Sequence, residues 1–522
     1  MSKHSKYVAA TILILFAALL RLAYLTTIPH EMHIDEAGLG LNAWSIAHFG
    51  TDRYGNFLPV CPSNFYGEQS AFYTYFCALL VKFFGLNLWT LRLPGAVMGI
   101  LSVVFGSLII KEKWGEKGFF TGMILFSIFP YFVMNSRFAL DCNAMLGMLS
   151  IALYCLIRTY KKAIQNTNRN YYALFLLTGI LLGLVLYTYI IAAIVVALFC
   201  ILFGFYYLLF WKEGRIHRFK QLCFIALPLI IMVIPLLLVF CVNYFGWDSI
   251  KTPFFTIPKM LVNRTEEVEF SLTTILNKVK WLRYPLTSDG KFGSSDKYWT
   301  MYRFSVPFIL LGGLFSLGKC ISDRKKHELS IDAVLLMATF SEVVLFLLCG
   351  QYNYHINGIF VLLGYFCVNG ILSMIPWLRK RALKITFVTV CIGLYLLSFV
   401  GFTLEYYGSD TSTAYMVYGG VDEALRMIPS ERAQSDVYIL NEVGEIYFLS
   451  NPKSPSEFLP YYDEYGLIRD FGNLHFHEPE DYQPGDIILG NRAQQRYLNY
   501  LGTDATKPFT LLETKHYYVF YE

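Results

Sequence analysis

The sequence predicts an all-α polytopic membrane protein. About eleven transmembrane helices, with juxtamembrane helices between them, carry a small C-terminal α/β domain outside the cytoplasm. Three observations predict it. Of 522 residues, 55% are hydrophobic and 16% charged, where an ordinary soluble domain carries about 25% charge. The apolar residues gather in runs that can cross a bilayer core, which takes about 20 residues per helix. Charge is also split along the chain: 405–522 holds 19 acidic and 8 basic residues, and the remainder 19 acidic and 35 basic. A basic apolar body therefore precedes an acidic tail. This composition excludes a disordered chain and argues against a soluble enzyme.

The first span is expected over 8–28, after Lys3 and Lys6. It is too long for a signal-peptide core and has no small-residue cleavage site, so it reads as uncleaved. Further spans are expected at 91–110, 118–134, 141–157, 171–188, 190–210, 220–243, 302–318, 331–350, 358–376 and 385–404. The run 69–86 is also apolar, but charge argues against a crossing. Loops rich in Lys and Arg stay cytoplasmic, and the basic loops are 111–117, 158–169, 212–220, 319–326 and 379–384. All of them fall on the inner side if 69–86 is an interfacial or re-entrant helix; a full crossing would set the N-terminus against all five. Segments 29–90, 135–141, 244–301 and 351–357 then lie outside, as does the tail.

Division into a membrane module (1–404) and an outer α/β domain (405–522) follows. Strands are expected at 437–440, 486–489 and 517–520, bounded by Asn, Gly and Pro, and helices at 420–428 and 491–500. Eleven cysteines lie between Cys61 and Cys391 and none in the tail. They form no CxxC pair and read as small buried hydrophobes. A cysteine-free outer domain fits a bacterial cell envelope.

The outer segments carry the candidate chemistry. Asp35 and Glu36 open an amphipathic stretch in which Leu39, Ala43, Ile46 and Ala47 recur at helical spacing, with Gly50 as a C-cap. Carboxylates in a first turn suit the helix dipole; a carboxylate at a membrane surface also suits a general base. Asp141 sits where one span emerges and the next re-enters, four residues after Arg137, with which it can pair on a helix face. Arg92 opens the second span, either snorkelling or clamping a phosphate bidentately. His355 lies in a very short outer loop. Tyr66 belongs to an aromatic cluster at 65–75 that suits the headgroup zone or a sugar ring. Carboxylates and arginines on one face suit group transfer from a lipid-linked phosphate: cations hold the phosphate while a carboxylate deprotonates a hydroxyl.

At these residues the chain resembles the polytopic glycosyltransferases of the GT-C fold, in particular the protein O-mannosyltransferase and aminoarabinose-transferase relatives. The matching elements run in order over 8–158. They are a first span, Asp35-Glu36 at the start of a juxtamembrane helix, an apolar helix ending in Phe84-Gly85, Arg92-Leu93-Pro94 opening the second span, and Pro130 before Arg137-Phe138-Ala139-Leu140-Asp141. Relatives often carry Pro-Pro-Leu and a Lys before the apolar helix. Here Gln69-Ser70-Ala71-Phe72 and Glu68 stand there instead.

The resemblance implies a polyprenyl-phosphate sugar as donor, inversion at the anomeric carbon, and a site on the outer face. The acceptor would be a hydroxyl of protein Ser or Thr, a wall polymer or a glycolipid. It implies Asp35 as base, Glu36 as its support, and Asp141 positioning acceptor or metal. Arg92 and Arg137 would contact the phosphate or hold the site together; His355, Tyr66 and Glu68 are further expected to serve substrate binding. A divalent metal ion stays open, since some members use one. The two large outer segments, 244–301 and the tail, are expected to choose the acceptor. The alternative class is a transporter or flippase of lipid-linked saccharides. That class carries charges near the bilayer midplane, a position that only Glu342 approaches here.

Overall fold

The computed structural model describes residues 2–165, 171–209, 215–260, 271–325 (without 292 and 294), 330–408 (without 351), 416–479 (without 441), 483, 485–492 and 510–521. In chain order come α1 (Lys3–Leu22), α2 (Ile34–Phe49), the hairpin β1–β2 (Ser63–Asn64, Gly67–Glu68), α3 (Ala71–Phe84), α4 (Leu88–Ile128), α5 (Pro130–Met134), α6 (Ala144–Gln165), α7 (Tyr172–Thr188), α8 (Ala192–Leu209) and α9 (Arg215–Tyr244). A second small hairpin, β3–β4 (Ile250–Lys251, Thr256–Ile257), precedes α10 (Leu272–Val279), α11 (Val306–Lys325), α12 (Ile331–Cys349), α13 (Ile359–Met374) and α14 (Arg381–Tyr407).

Among the described residues, nine helices are long and apolar enough to cross a membrane, where eleven spans were expected. Two features account for the difference. At 17 residues, α7 falls just short. The 41-residue α4 covers two expected spans and is broken at Gly115, where φ is +61°, a value that only glycine adopts without strain. The halves fold back on each other. A Cβ on Gly106 would collide with the Phe126 ring, and one on Gly122 would press on Ser107; in a straight helix positions 106 and 126 would be about 30 Å apart. Each expected span therefore has its helical segment. Helix α3 has 14 residues, about 21 Å at 1.5 Å each, short of a roughly 30 Å core.

The bundle is tied by close backbone approach and by buried ion pairs. Cβ atoms on Gly312 and Gly370 would strike the Phe366 and Phe308 carbonyl oxygens, so α11 and α13 meet where side chains are absent. Lys113, at the α4 turn, lies 2.8 Å from both carboxylate oxygens of Asp332 on α12, which also accepts from Ser316 (2.6 Å) and Tyr365 (2.8 Å).

The tail is α/β, as expected. It holds α15 (Gly420–Leu425), β5 (Val437–Ile439), α16 (Gly444–Ser450), α17 (Pro455–Phe458), β6 (Asp470–Phe471), β7 (Leu474–His475), β8 (Ile487–Asn491), β9 (Thr510–Glu513) and β10 (Tyr517–Tyr521). One mixed sheet runs β6-β7-β5-β8-β10-β9, with β5 parallel to β7 and β8 and the other pairs antiparallel. The helix expected at 491–500 falls outside the described residues except at its start, where Asn491 and Arg492 continue the strand and turn instead.

The sheet buries Glu442, whose carboxylate accepts from the Tyr517 hydroxyl. Burial pushes this carboxyl up from 4.5 to about 7, against the lowering effect of Tyr517. A carboxyl raised on folding contributes stability that is full below its unfolded pKa and lost as pH climbs through the folded value. Thermal unfolding of the tail is therefore expected to weaken between pH 4.5 and 7.5, by at most roughly 3 kcal/mol. Glu442→Gln, which mimics the protonated group, is expected to flatten that slope. An unchanged slope in the variant would place the pH dependence elsewhere.

Candidate active site

Helix α2 starts where the sequence places it. His33 is its N-cap and accepts from the Asp35 N–H, while the Glu36 carboxylate reaches back to the His33 N–H, a reciprocal cap. Gly50 closes the helix at φ +70°. The two adjacent carboxylates then part company, because neighbours on a helix point about 100° apart. Glu36 turns inward and is fully buried. Asp35 is 39% exposed at its side chain.

Glu36 meets Arg92 fork to fork, with Nε–Oε1 3.1 Å and Nη2–Oε2 3.2 Å, and also accepts from the Ala139 N–H at 2.6 Å. The other Arg92 donors go to the carbonyls of Leu25, Pro29 and Glu31. All five N–H groups of Arg92 thus have protein acceptors. Arg137 is equally committed: it donates to Leu20, Arg21, Ala23 and, twice, Ile28 carbonyls, closing the C-terminal end of α1. Both guanidiniums are buried and neither lines a cavity with the carboxylates. Their N–H groups are thus taken up by protein acceptors that hold the surrounding segments together. Arg137 does not pair with Asp141 on a helix face. Two short 3₁₀ turns, at Asn135–Arg137 and Asp141–Asn143, flank an extended Phe138 and Leu140, so the i,i+4 geometry never forms.

Asp35, Asp141 and His355 do converge. They line one cavity of about 300 Å³. Its walls come from all four outer segments that charge counting gives the membrane module: His33, Asp35, Asn64 and Gln69 from 29–90; Leu140 and Asp141 beside Cys142; Lys291 from 244–301; and Tyr352, Tyr354 and His355 from 351–357. Tyr189, in the α7–α8 turn, completes it. Asp141 accepts from the Ser70 and Cys142 N–H groups at 2.8 Å each. His355 is bonded through Nδ1 to the Tyr189 hydroxyl at 2.7 Å and packs against Tyr354.

Tyr66 and Glu68 do not line this cavity. Phe65 and Tyr66 form the two-residue tip of β1–β2 at φ +50° and +55°, a left-handed turn that bulky residues adopt only under strain. Tyr66 stacks on Tyr54, and Glu68 is buried in β2. What the hairpin presents to the site is Asn64, whose side-chain amide lies 3.4 Å from Asp35 Oδ1. Asn64 is itself gripped by Arg53 at 3.0 Å, and Arg53 pairs with Glu445 of α16 at 3.2 Å. Burial raises the Glu445 carboxyl, and the Arg53 charge works against that rise. A buried chain Glu445–Arg53–Asn64 therefore runs from the tail to Asp35.

Sequence reading missed Asn64, Gln69, Tyr189 and Lys291. Only Lys291 carried a signal, as a cation in a large outer loop. It stands over the Tyr352 ring at 5.6 Å. Beyond the Tyr352–Tyr354–His355 wall lies a second cavity of about 630 Å³, lined by Lys278, Lys280 and Trp281 among others. An apolar groove of about 650 Å³ runs between α3, α7 and α9, past Phe72, Tyr75, Leu184 and Met232. Its wall at Ala71 is two residues from Gln69 of the first cavity.

The cavity carboxylates and histidines do not converge as a metal-ligand set. Among the described residues, the one such group is Asp470, His475 and His477, none of which lines the cavity.

Residues 68–242 match the sequence profile of a family described as dolichyl-phosphate-mannose-protein mannosyltransferase. Comparison with curated proteins finds no match to the sequence. Among solved structures, the chain is similar to ArnT from Cupriavidus metallidurans in the apo state (TM-score 0.54, 13% identity, 99% of this chain and 98% of that one). It is similar to the same protein bound to undecaprenyl phosphate (TM-score 0.51, 12% identity, 98% and 97%). The apo oligosaccharyltransferase of Archaeoglobus fulgidus is a third likeness (TM-score 0.52, 12% identity, 86% and 64%). At these identities the likeness is one of fold, and the fold is GT-C.

Proposed function

We propose that this chain, built on the GT-C fold, is an integral-membrane glycosyltransferase. It moves a sugar from a polyprenyl phosphate to a hydroxyl on the outer face, inverting the anomeric carbon. One observation supports this above the others: two carboxylates and a lysine, drawn from segments up to 256 residues apart, line one cavity in a membrane protein. Asp35 takes the acceptor proton, the acceptor oxygen bonds to the anomeric carbon, and the bond from that carbon to phosphate breaks. The leaving polyprenyl phosphate carries away the electron pair, and its charge is held by Lys291 with Lys280 of the neighbouring cavity. Asp141, fixed by two backbone N–H groups, orients the acceptor, and His355 shapes the passage between the cavities. The apolar groove between α3, α7 and α9 suits the prenyl chain. Glu36, Arg92 and Arg137 act as positioning residues beneath the site.

The deciding experiment supplies the full-length protein in liposomes with radiolabelled polyprenyl-phosphate sugars. Transfer or donor hydrolysis is expected, with Lys291→Ala raising the donor KM about tenfold and leaving the fold intact. A protein that turns over no donor, with any hydroxyl acceptor or with water, would overturn the transferase reading in favour of transport.

A further inference from the structure

The tail carries a second cluster of ligand-type side chains that the transfer chemistry does not use. Across the β6–β7 hairpin, Asp470 is paired with His475. His477 follows two residues later, and the period of two puts it on the same face. Gly472, at φ +64°, makes the turn between them. Both imidazoles meet a single oxygen: His475 Nδ1 lies 2.7 Å and His477 Nε2 2.9 Å from Asp470 Oδ1.

The far ring nitrogens face acceptors as well. His475 Nε2 is 3.4 Å from Asp436 Oδ1, and His477 Nδ1 is 2.9 Å from the Glu478 carbonyl oxygen. Three ring nitrogens thus make hydrogen-bond contacts to acceptors and His475 Nε2 makes none, while two neutral imidazoles have only two N–H groups between them. With those N–H groups on Asp436 and Glu478, two nitrogen lone pairs face a carboxylate oxygen. A cation held among these three donors removes that mismatch. Binding it there reproduces a recurrent arrangement, in which a ligating His gives its other N–H to a carboxylate or backbone carbonyl. The donor atoms lie within 4.8 Å of one another, and tetrahedral Zn²⁺ with bonds of about 2.0 Å needs about 3.3 Å. Side-chain rotations that lengthen the 2.7 and 2.9 Å nitrogen–oxygen contacts to that spacing make room for the ion, and the Tyr438 ring, stacked on His475 at 4.7 Å, backs the site.

We propose that Asp470, His475 and His477 bind one divalent transition-metal ion of the Zn²⁺ type, with solvent as fourth ligand. Two nitrogens and one carboxylate oxygen suit Zn²⁺ rather than Ca²⁺ or Mg²⁺. The ion staples β6 to β7 at the sheet edge. It thereby steadies the preceding segment, where Gly466 accepts from Tyr54 and Tyr462 covers Arg53.

The test uses full-length protein in detergent, made without a polyhistidine tag and stripped with EDTA. One equivalent of Co²⁺ is expected to give the visible d–d bands of a tetrahedral N/O site, to be displaced by Zn²⁺, and to raise the thermal midpoint of the tail. His477→Gln is expected to weaken binding at least tenfold. Asp436→Asn, which is no ligand, is expected to weaken it about tenfold through the outer contact. Absence of the bands, or bands unchanged in both variants, would overturn the proposal. An apo protein unaffected by either ion would show that two imidazolium protons fill the role instead.

Discussion

Asp35→Asn is expected to lower sugar transfer about a thousandfold with donor binding retained, within the range that a positioned base contributes. Asn keeps the shape and removes the proton acceptor. The choice of Asp35 over Asp141 follows from their surroundings. Asp141 receives two backbone N–H bonds of 2.8 Å, which hold its carboxylate in one orientation. The contact from the Asn64 amide to Asp35 is longer, at 3.4 Å, and the Asp35 side chain is 39% exposed at the cavity wall. Rates measured with radiolabelled donor, beside equilibrium binding of the same donor, separate the two residues. A larger rate loss in Asp141→Asn than in Asp35→Asn would exchange their roles.

Arg92→Leu is expected to destabilise the protein by about 3–5 kcal/mol, because it strands the fully buried Glu36 charge and three carbonyls. The double variant Glu36→Leu/Arg92→Leu is expected to recover part of that loss, since no buried charge is left unpaired. Thermal unfolding in detergent reads both. A phosphate ligand would behave differently: Arg92→Lys would keep stability and raise the donor KM. That second pattern would return Arg92 to the substrate and contradict its five protein acceptors.

Residue by residue, the sequence was legible where the deciding forces are local. Apolar runs marked the helices, including the two halves of α4, and the basic loop 111–117 marked the turn between those halves. The Asp35-Glu36 pair before an amphipathic run marked the start of α2. Lys and Arg counts grouped the segments that meet at the cavity, so Asp35, Asp141 and His355 could be placed together before any contact was known. The HxH spacing at 475–477 was equally visible, but its third ligand comes from a hairpin register that no spacing reveals.

The partners of the arginines were not legible. Arg137 binds carbonyls more than a hundred residues upstream, and Arg53 pairs with a carboxylate 392 residues away. The tail was read as a module apart, set to choose the acceptor. In the structure α16 packs on α2, where a Cβ on Gly40 would press into Leu449, and Glu445 anchors the chain that ends at Asp35. A change in the tail therefore reaches the candidate base as well as any acceptor surface.

By itself, then, the sequence determined the membrane class, the order of spans and the side on which the polar segments gather. Hydropathy and loop charge act over one helix length and need no partner. Only the tertiary structure decided which charges line the cavity and which are buried among protein acceptors. A buried charge must find its counter-charge or acceptors wherever the fold brings them, and that distance along the chain is written nowhere in the local pattern.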